Sequence, residues 1–246
     1  MKMNYNYEEV KRRIYDVLNS KTEIVRCDSI PKNESEFTYD NGIKTWVGAL
    51  FVDIRKSTDY FKNNNGEIVA RIMRAFCTEI ITLLKQNENY RQIGIRGDCI
   101  YAIYSTQTKN DDLQILIDAF WINTFQKMFQ KILINKNYPT FKIGIGLGLH
   151  EDLVIKAGKK NSGIRDYIWI GDAVVNASKL SNQGSKDGFD SIVMDSCFFL
   201  NIKDYETGNE TYEQCIKKKW SSILGEYVYH CDRIMIDFDK WIEENI

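Results

Sequence analysis

Between Phe141 and His150 the chain reads FKIGIGLGLH, where Gly144, Gly146 and Gly148 alternate with Ile143, Ile145 and Leu147. Strict alternation places the aliphatic side chains on one face of a strand and the glycines on the other. The glycine face is bare, so either the strand is weak or another backbone or a ligand approaches it closely. A second run, TWVGALFVDI from Thr45 to Ile54, is almost continuously apolar and rich in strand formers, as expected of a central strand covered on both faces.

Around these strands the periodicity alternates. Val10, Ile14, Val17 and Leu18 predict a short amphipathic helix over 7–19, and 28–42 reads as loop. Ile68, Val69, Ile72, Met73, Phe76, Ile80, Leu83 and Leu84 mark a long helix packing one face on a core. RQIGIRGDCIYAIY predicts a β-hairpin turning at Gly97-Asp98, and Leu113 to Ile132 a second long helix closed by the loop 135–139. After the glycine strand come a further strand at Leu153–Ala157, a loop KKNSG at 159–163, the strand DYIWIG, a helix over 172–182, the short strand SIVMD and a helix-like 196–202. The order β-α-ββ-α-β-β-α-β predicts an α+β domain with a mostly antiparallel sheet and helices on one face. The expected division is an N-terminal helix and loop over 1–44, a central domain over 45–202 and an appendage over 203–246.

Composition narrows the function classes. With 33 Lys+Arg against 34 Asp+Glu among 246 residues, and no basic block longer than Lys217–Lys219, the footprint of a nucleic-acid-binding protein is missing. An RNA-recognition module sharing the layout would need a basic face and exposed aromatics on its sheet. No run approaches the roughly 18 apolar residues of a membrane span, and the N-terminus has no apolar signal region. Six scattered cysteines without a C-x-x-C pair read as reduced thiols, so the expected location is the cytoplasm. His150 and His230 are too few and too separated for a metal cluster.

Three features carry chemistry. Asp53 ends the most hydrophobic strand, where an unpaired carboxylate would cost several kcal/mol. Asp98 sits at the hairpin turn; alone it is a common turn residue, but beside Asp53 it makes a carboxylate pair. Two such acids repel unless cations neutralise them, and a carboxylate pair with two divalent ions suits in-line displacement at phosphorus. Arg55, Lys56, Ser57 and Thr58 follow, with cations, hydroxyls and backbone N–H groups suited to phosphate.

These segments together resemble the class III nucleotidyl cyclases. FVDIRKST is similar to that family's first-metal segment, IRGDCIYAIY to its Gly-Asp hairpin, and GIGLGLHEDLVIKAG with YIWIGDAVVNASKL to its Gly-rich strand and G-x-x-V-N-x-A-x-R helix. The resemblance covers roughly residues 45–200 in the right order. It implies a ferredoxin-like core and a homodimer with active sites at the subunit interface, each binding a nucleoside triphosphate and two Mg²⁺ or Mn²⁺ ions. Asp53, the Ile54 carbonyl and Asp98 would hold the metals, and the partner would supply the base pocket and transition-state groups.

The departures imply a substrate. The family's purine-reading positions fall on Gly94 and Ile168, so neither purine-reading pair is present. Arg96 shares a strand face with Gly94 and offers only donors, which suit uracil O2 and O4 or cytosine O2 and N3. Phe51 and Trp169 would shrink the pocket. This combination looks most like the pyrimidine cyclases of bacterial Pycsar anti-phage systems, which make cyclic UMP or cyclic CMP for a separate effector that senses the product. Val175 takes the place of the family's ribose-orienting Asn, with Asn176 one step round the helix, and Lys179 takes the place of the transition-state Arg. The alternatives are an adenylate or guanylate cyclase with an atypical base pocket, and a catalytically dead dimeric nucleotide sensor.

Overall fold

The computed structural model describes residues 5–32, 37–158 and 165–246; the expected loop at 159–163 lies outside the described residues. The chain runs through α1 (Tyr7–Leu18), β1 (Glu23–Arg26), β2 (Asn41–Ile54), α2 (Ser57–Asn63), α3 (Gly66–Leu84), the hairpin β3 (Tyr90–Arg96) and β4 (Cys99–Ser105), and α4 (Lys109–Asn135). It continues through β5 (Ile143–Gly158), β6 (Arg165–Ile170), α5 (Asp172–Ser181), β7 (Ile192–Met194), α6 (Ser196–Ile202), the small pair β8 (Glu206–Thr207) and β9 (Glu210–Thr211), α7 (Tyr212–Cys215), β10 (Lys217–Ser221), β11 (Glu226–Cys231) and α8 (Ile236–Asn245). Among the described residues no helix is long and apolar enough to cross a membrane.

One sheet has the order β10-β11-β7-β5-β2-β4-β3, with β1 beside β2 and β6 beside β5. It is mostly antiparallel; β1 with β2 and β5 with β7 are parallel. Alternate residues of β2 face opposite layers, as the pleat requires. Leu50, Val52 and Ile54 pack with Ile72, Phe76 and Ile80 of α3 and Leu116 and Phe125 of α4. Ala49 and Phe51 pack with Ala173 and Ala177 of α5. The two long helices lie together on one face, but α5 covers the other, so the expectation of helices on one face holds for α3 and α4 and fails for α5.

The bare strand face explains how α5 sits there. A Cβ at Gly146 would lie 2.0 Å from the Ala177 carbonyl, and one at Gly148 2.2 Å from that of Ala173. The glycines let the helix backbone rest directly on the strand, so close backbone approach is the alternative the fold adopts.

Four further expectations change. The strand read as starting at Thr45 begins at Asn41, preceded by β1 in the N-terminal segment. The break between the glycine strand and Leu153 does not exist. Glu151 is paired to Arg26 at 3.2 Å and Lys44 at 3.4 Å, and buried Asp152 accepts from the Ala173 N–H at 3.2 Å, so these polar residues have partners inside one continuous strand. That Asp152 bond caps α5 in place of Gly171, whose φ is 156° and where a Cβ would strike the Asp152 carboxylate. Residues 203–246, expected as an appendage, extend the sheet through β10 and β11, and α8 docks on α4 through Lys127–Asp239 at 2.6 Å and Trp121 against Phe238.

Beneath β4, Asp118 of α4 accepts from the Asn87 amide at 2.9 Å and the Tyr104 hydroxyl at 3.1 Å. Burial pushes its carboxyl up from 3.8 to about 7. Between those values the folded chain holds a proton that the unfolded chain has released, so stability falls as pH rises through that window. Asp118→Asn keeps an acceptor and removes the charge. The variant is expected to melt higher than wild type at pH 8 and to lose part of the pH dependence; a lower melting temperature at pH 8 would contradict this.

Candidate active site

Asp53 sits one residue from the end of β2, opposite Gly144, and its side chain points to the α5 layer beside Phe51. Asp98 occupies the tight turn after Gly97, whose φ of 65° lets the hairpin reverse. The sheet places β4 next to β2, so the two acids converge within hydrogen-bonding reach. Burial raises the Asp53 carboxyl above its ordinary value; Arg55 opposes the shift and Asp98 adds to it. The neighbouring Cys99 thiol is pushed up to about 12 by burial and by both acids, and so stays protonated.

Arg55 is not the solvent-facing phosphate ligand its loop position implied. Its side chain is only 12% exposed, and its guanidinium turns back to pair with the Asp53 carboxylate and donates to the carbonyls of Ser181 at 2.9 Å and Asn182 at 2.5 Å. It ties the end of β2 to the C-terminus of α5, where carbonyls without helical partners attract a cation. Ser57 and Thr58 open α2 behind Lys56, which adopts a left-handed φ of 54°. Ser57 is half-buried and Thr58 exposed.

On the same sheet face, adjoining the acids, lies a cleft of about 340 Å³. Phe51, Arg96 and Trp169 line it, together with Gln92, Tyr101, Asp166 and Ser178. Sequence reasoning missed these last four. Gln92 and Tyr101 had a usable signal, since Gln92 shares a strand face with Gly94 and Arg96, and Tyr101 is the cross-strand partner of Gly94.

Asn176 is not brought to this cleft. Its amide donates to Asp195 Oδ2 at 3.2 Å and lies 3.4 Å from His150 Nε2. Asp195 is fully buried and also accepts from the Leu149 and Phe198 N–H groups, so the network is internal. The sequence put Asn176 one helix step from the ribose position, and that step of about 100° turns it inward. Val175, 43% exposed, and Lys179, also exposed, face outward together at i and i+4.

A profile described as "Adenylate and Guanylate cyclase catalytic domain" matches residues 41–217. A "Uridylate cyclase" of Treponema porcinum is 38% identical over 99% of this chain and 83% of its own length. The chain belongs to the adenylate and guanylate cyclase catalytic-domain family. A second "Uridylate cyclase", from Gulbenkiania mobilis, is 28% identical over 98% of this chain and 97% of its own. Among solved structures, the adenylyl cyclase CyaB from P. aeruginosa superposes with a TM-score of 0.65 at 18% identity, covering 77% of this chain and 94% of that one. These structural matches share the fold.

Cyclases of this family act on nucleoside triphosphates and depend on divalent metal ions. The acid pair fits such an ion: two neighbouring carboxylates form a hard oxygen set whose repulsion a cation relieves. Ile54, whose carbonyl the resemblance names as a third ligand, buries its side chain in the core. Among the described residues there is no group of three or more His, Cys, Asp or Glu placed to hold a metal.

Proposed function

We propose that this cyclase is pyrimidine-specific and converts UTP, in preference to CTP, to 3′,5′-cyclic UMP and pyrophosphate. The observation that carries this reading is the near-full-length likeness, at 38% identity, to a protein named "Uridylate cyclase", in a chain that keeps both acids. Gly94 and Ile168 at the purine-reading positions, and the donor Arg96 beside them, support it.

In the reaction the ribose 3′-oxygen attacks the α-phosphorus, the bond to the pyrophosphate oxygen breaks, and the 3′-proton is lost. Mg²⁺ or Mn²⁺ at Asp53, Asp98 and the Ile54 carbonyl, two ions per site, would lower the charge on the α-phosphate and on the attacking oxygen. Arg55 holds the Asp53 carboxylate in place against α5. Phe51 and Trp169 narrow the cleft around the base, and Arg96 presents its donors there. Ser57 and Thr58 offer hydroxyls beside the triphosphate path.

The active unit is a homodimer in which the cleft and α5 of one protomer complete the acid pair of the other. Lys179 then neutralises the phosphate charge that grows in the transition state. Lys179→Ala is expected to cut turnover about a hundredfold and, because the side chain is exposed, to leave melting within about 0.5 kcal/mol of wild type. Mixing it with inactive Asp53→Ala should restore part of the activity through hybrid dimers; no recovery on mixing would contradict a shared site. The cyclic product is read as a second messenger of bacterial anti-phage defence, made in the cytoplasm and sensed by a separate effector. The test of the reaction is equimolar cyclic UMP and pyrophosphate from UTP, abolished by a chelator; UTP left unchanged in the presence of Mn²⁺ would overturn it.

A further inference from the structure

The wall of the cleft contains a hydrogen-bond chain with a fixed direction. Trp169 Nε1 lies 2.7 Å from Gln92 Oε1. An indole N–H only donates, so the oxygen of the Gln92 amide must face Trp169 and its NH₂ group must face the other way. There the two amide hydrogens have two acceptors, Asp166 Oδ1 at 3.2 Å and the Tyr101 hydroxyl oxygen at 3.3 Å. Tyr101 therefore receives a bond from Gln92, which leaves its own O–H free to donate into the cleft it lines. Burial, first, and Asp166 raise the Tyr101 hydroxyl, which keeps its proton.

The ring cannot easily swing away from this position. It stacks on Phe51 with centroids 5.2 Å apart and planes 16° apart. It also lies across Gly94, where a Cβ would sit 2.5 Å from the Tyr101 oxygen and 2.6 Å from Cζ. The glycine and the tyrosine are cross-strand partners, so one requires the other. No side chain can project from position 94 while the hydroxyl occupies that space.

We infer that Tyr101 is the residue that selects uracil over cytosine, with Gln92 and Trp169 as positioning residues that orient its O–H toward the base. The inference rests on the pyrimidine cyclase reading and goes beyond it by assigning the choice between two substrates. A fixed donor matches the O4 carbonyl of uracil, whereas the N4 amine of cytosine offers that donor no acceptor and the Tyr101 oxygen already accepts from Gln92. Arg96, on the same strand face as Gly94, supplies donors for the remaining carbonyl.

The experiment measures kcat/KM for UTP and for CTP in wild type, Tyr101→Phe, Gln92→Leu and the double variant, together with equilibrium binding of each nucleotide. Tyr101→Phe removes the hydroxyl and keeps the stacked ring. The preference for UTP is expected to fall about tenfold, one hydrogen bond's worth, in either single variant. The double variant should lose no more than the singles, because both break the same chain. A folded Tyr101→Phe protein with an unchanged UTP to CTP ratio would overturn the inference, as would a wild-type protein that binds CTP more tightly than UTP. Should no cyclic product form, the cyclase reading fails while the binding ratio still decides the role of Tyr101: loss of UTP preference in Tyr101→Phe supports it, and retention refutes it.

Discussion

Replacing Asp53 with alanine is expected to lower cyclic nucleotide formation by at least about a thousandfold, the several kcal/mol that a bound metal contributes at a phosphoryl oxygen. The fold should survive. Asp53 sits at the edge of the core, its side chain 21% exposed, and burial together with Asp98 already disfavours its charge. Arg55 keeps its bonds to the Ser181 and Asn182 carbonyls in the variant. Asp53→Asn, nearly isosteric, should be equally inactive and should melt no lower than wild type. Turnover by either variant within tenfold of wild type, at saturating Mn²⁺, would show that the acid pair is not the metal centre.

The largest expected effect on stability comes from a position with no chemistry at all. Gly146→Val would drive a branched side chain into the backbone of α5, where a Cβ alone lies 2.0 Å from the Ala177 carbonyl and 2.2 Å from the Ser181 nitrogen. Backbone cannot yield as a flexible side chain can, so α5 must move off the strand. The cost is about 3 kcal/mol or more, or a melting temperature lower by roughly 6–12 °C for a chain of this size. Activity should fall with it. Displacing α5 pulls Ser181 and Asn182 away from Arg55 and shifts Ser178 out of the cleft wall. Gly97→Ala is the contrast: nothing lies within 4 Å of its Cβ, so only the strain of a φ of 65° is added, about 1 kcal/mol. Calorimetric melts of the two variants check the pair, and a Gly146→Val protein as stable as Gly97→Ala would refute the close-approach account.

How much of this the sequence revealed depends on the range of each signal. The acid pair was legible because strand ends and hairpin turns are local features, and adjacent strands on one sheet bring them together. The Gly144 to Gly148 alternation announced a close approach, but periodicity cannot say which element approaches or on which side, so α5 on the second face went unseen. β1 was missed because its four residues, EIVR, are all exposed and show no burial pattern. β10, reading KKKWS, looks like a charged loop; it becomes a strand only through pairing with β11. Within the site, Arg96 was placed by strand parity with Gly94, and Phe51 and Trp169 by their bulk; all three line one cleft. Arg55 was read as a loop cation because its partners, the carbonyls at the end of α5, are more than 120 positions away. The same distance in sequence hides the bond between Gln92 and Trp169, which orients the cleft wall.

The most direct measurement supplies purified protein with Mn²⁺ and an equimolar mixture of ATP, GTP, CTP and UTP, and identifies every 3′,5′-cyclic monophosphate by mass spectrometry. Competition in one vessel reports the ratio of specificity constants without separate rate curves. The account predicts cyclic UMP as the dominant product, with cyclic CMP the next. A mixture dominated by cyclic AMP or cyclic GMP, or no cyclic product at all, would contradict it.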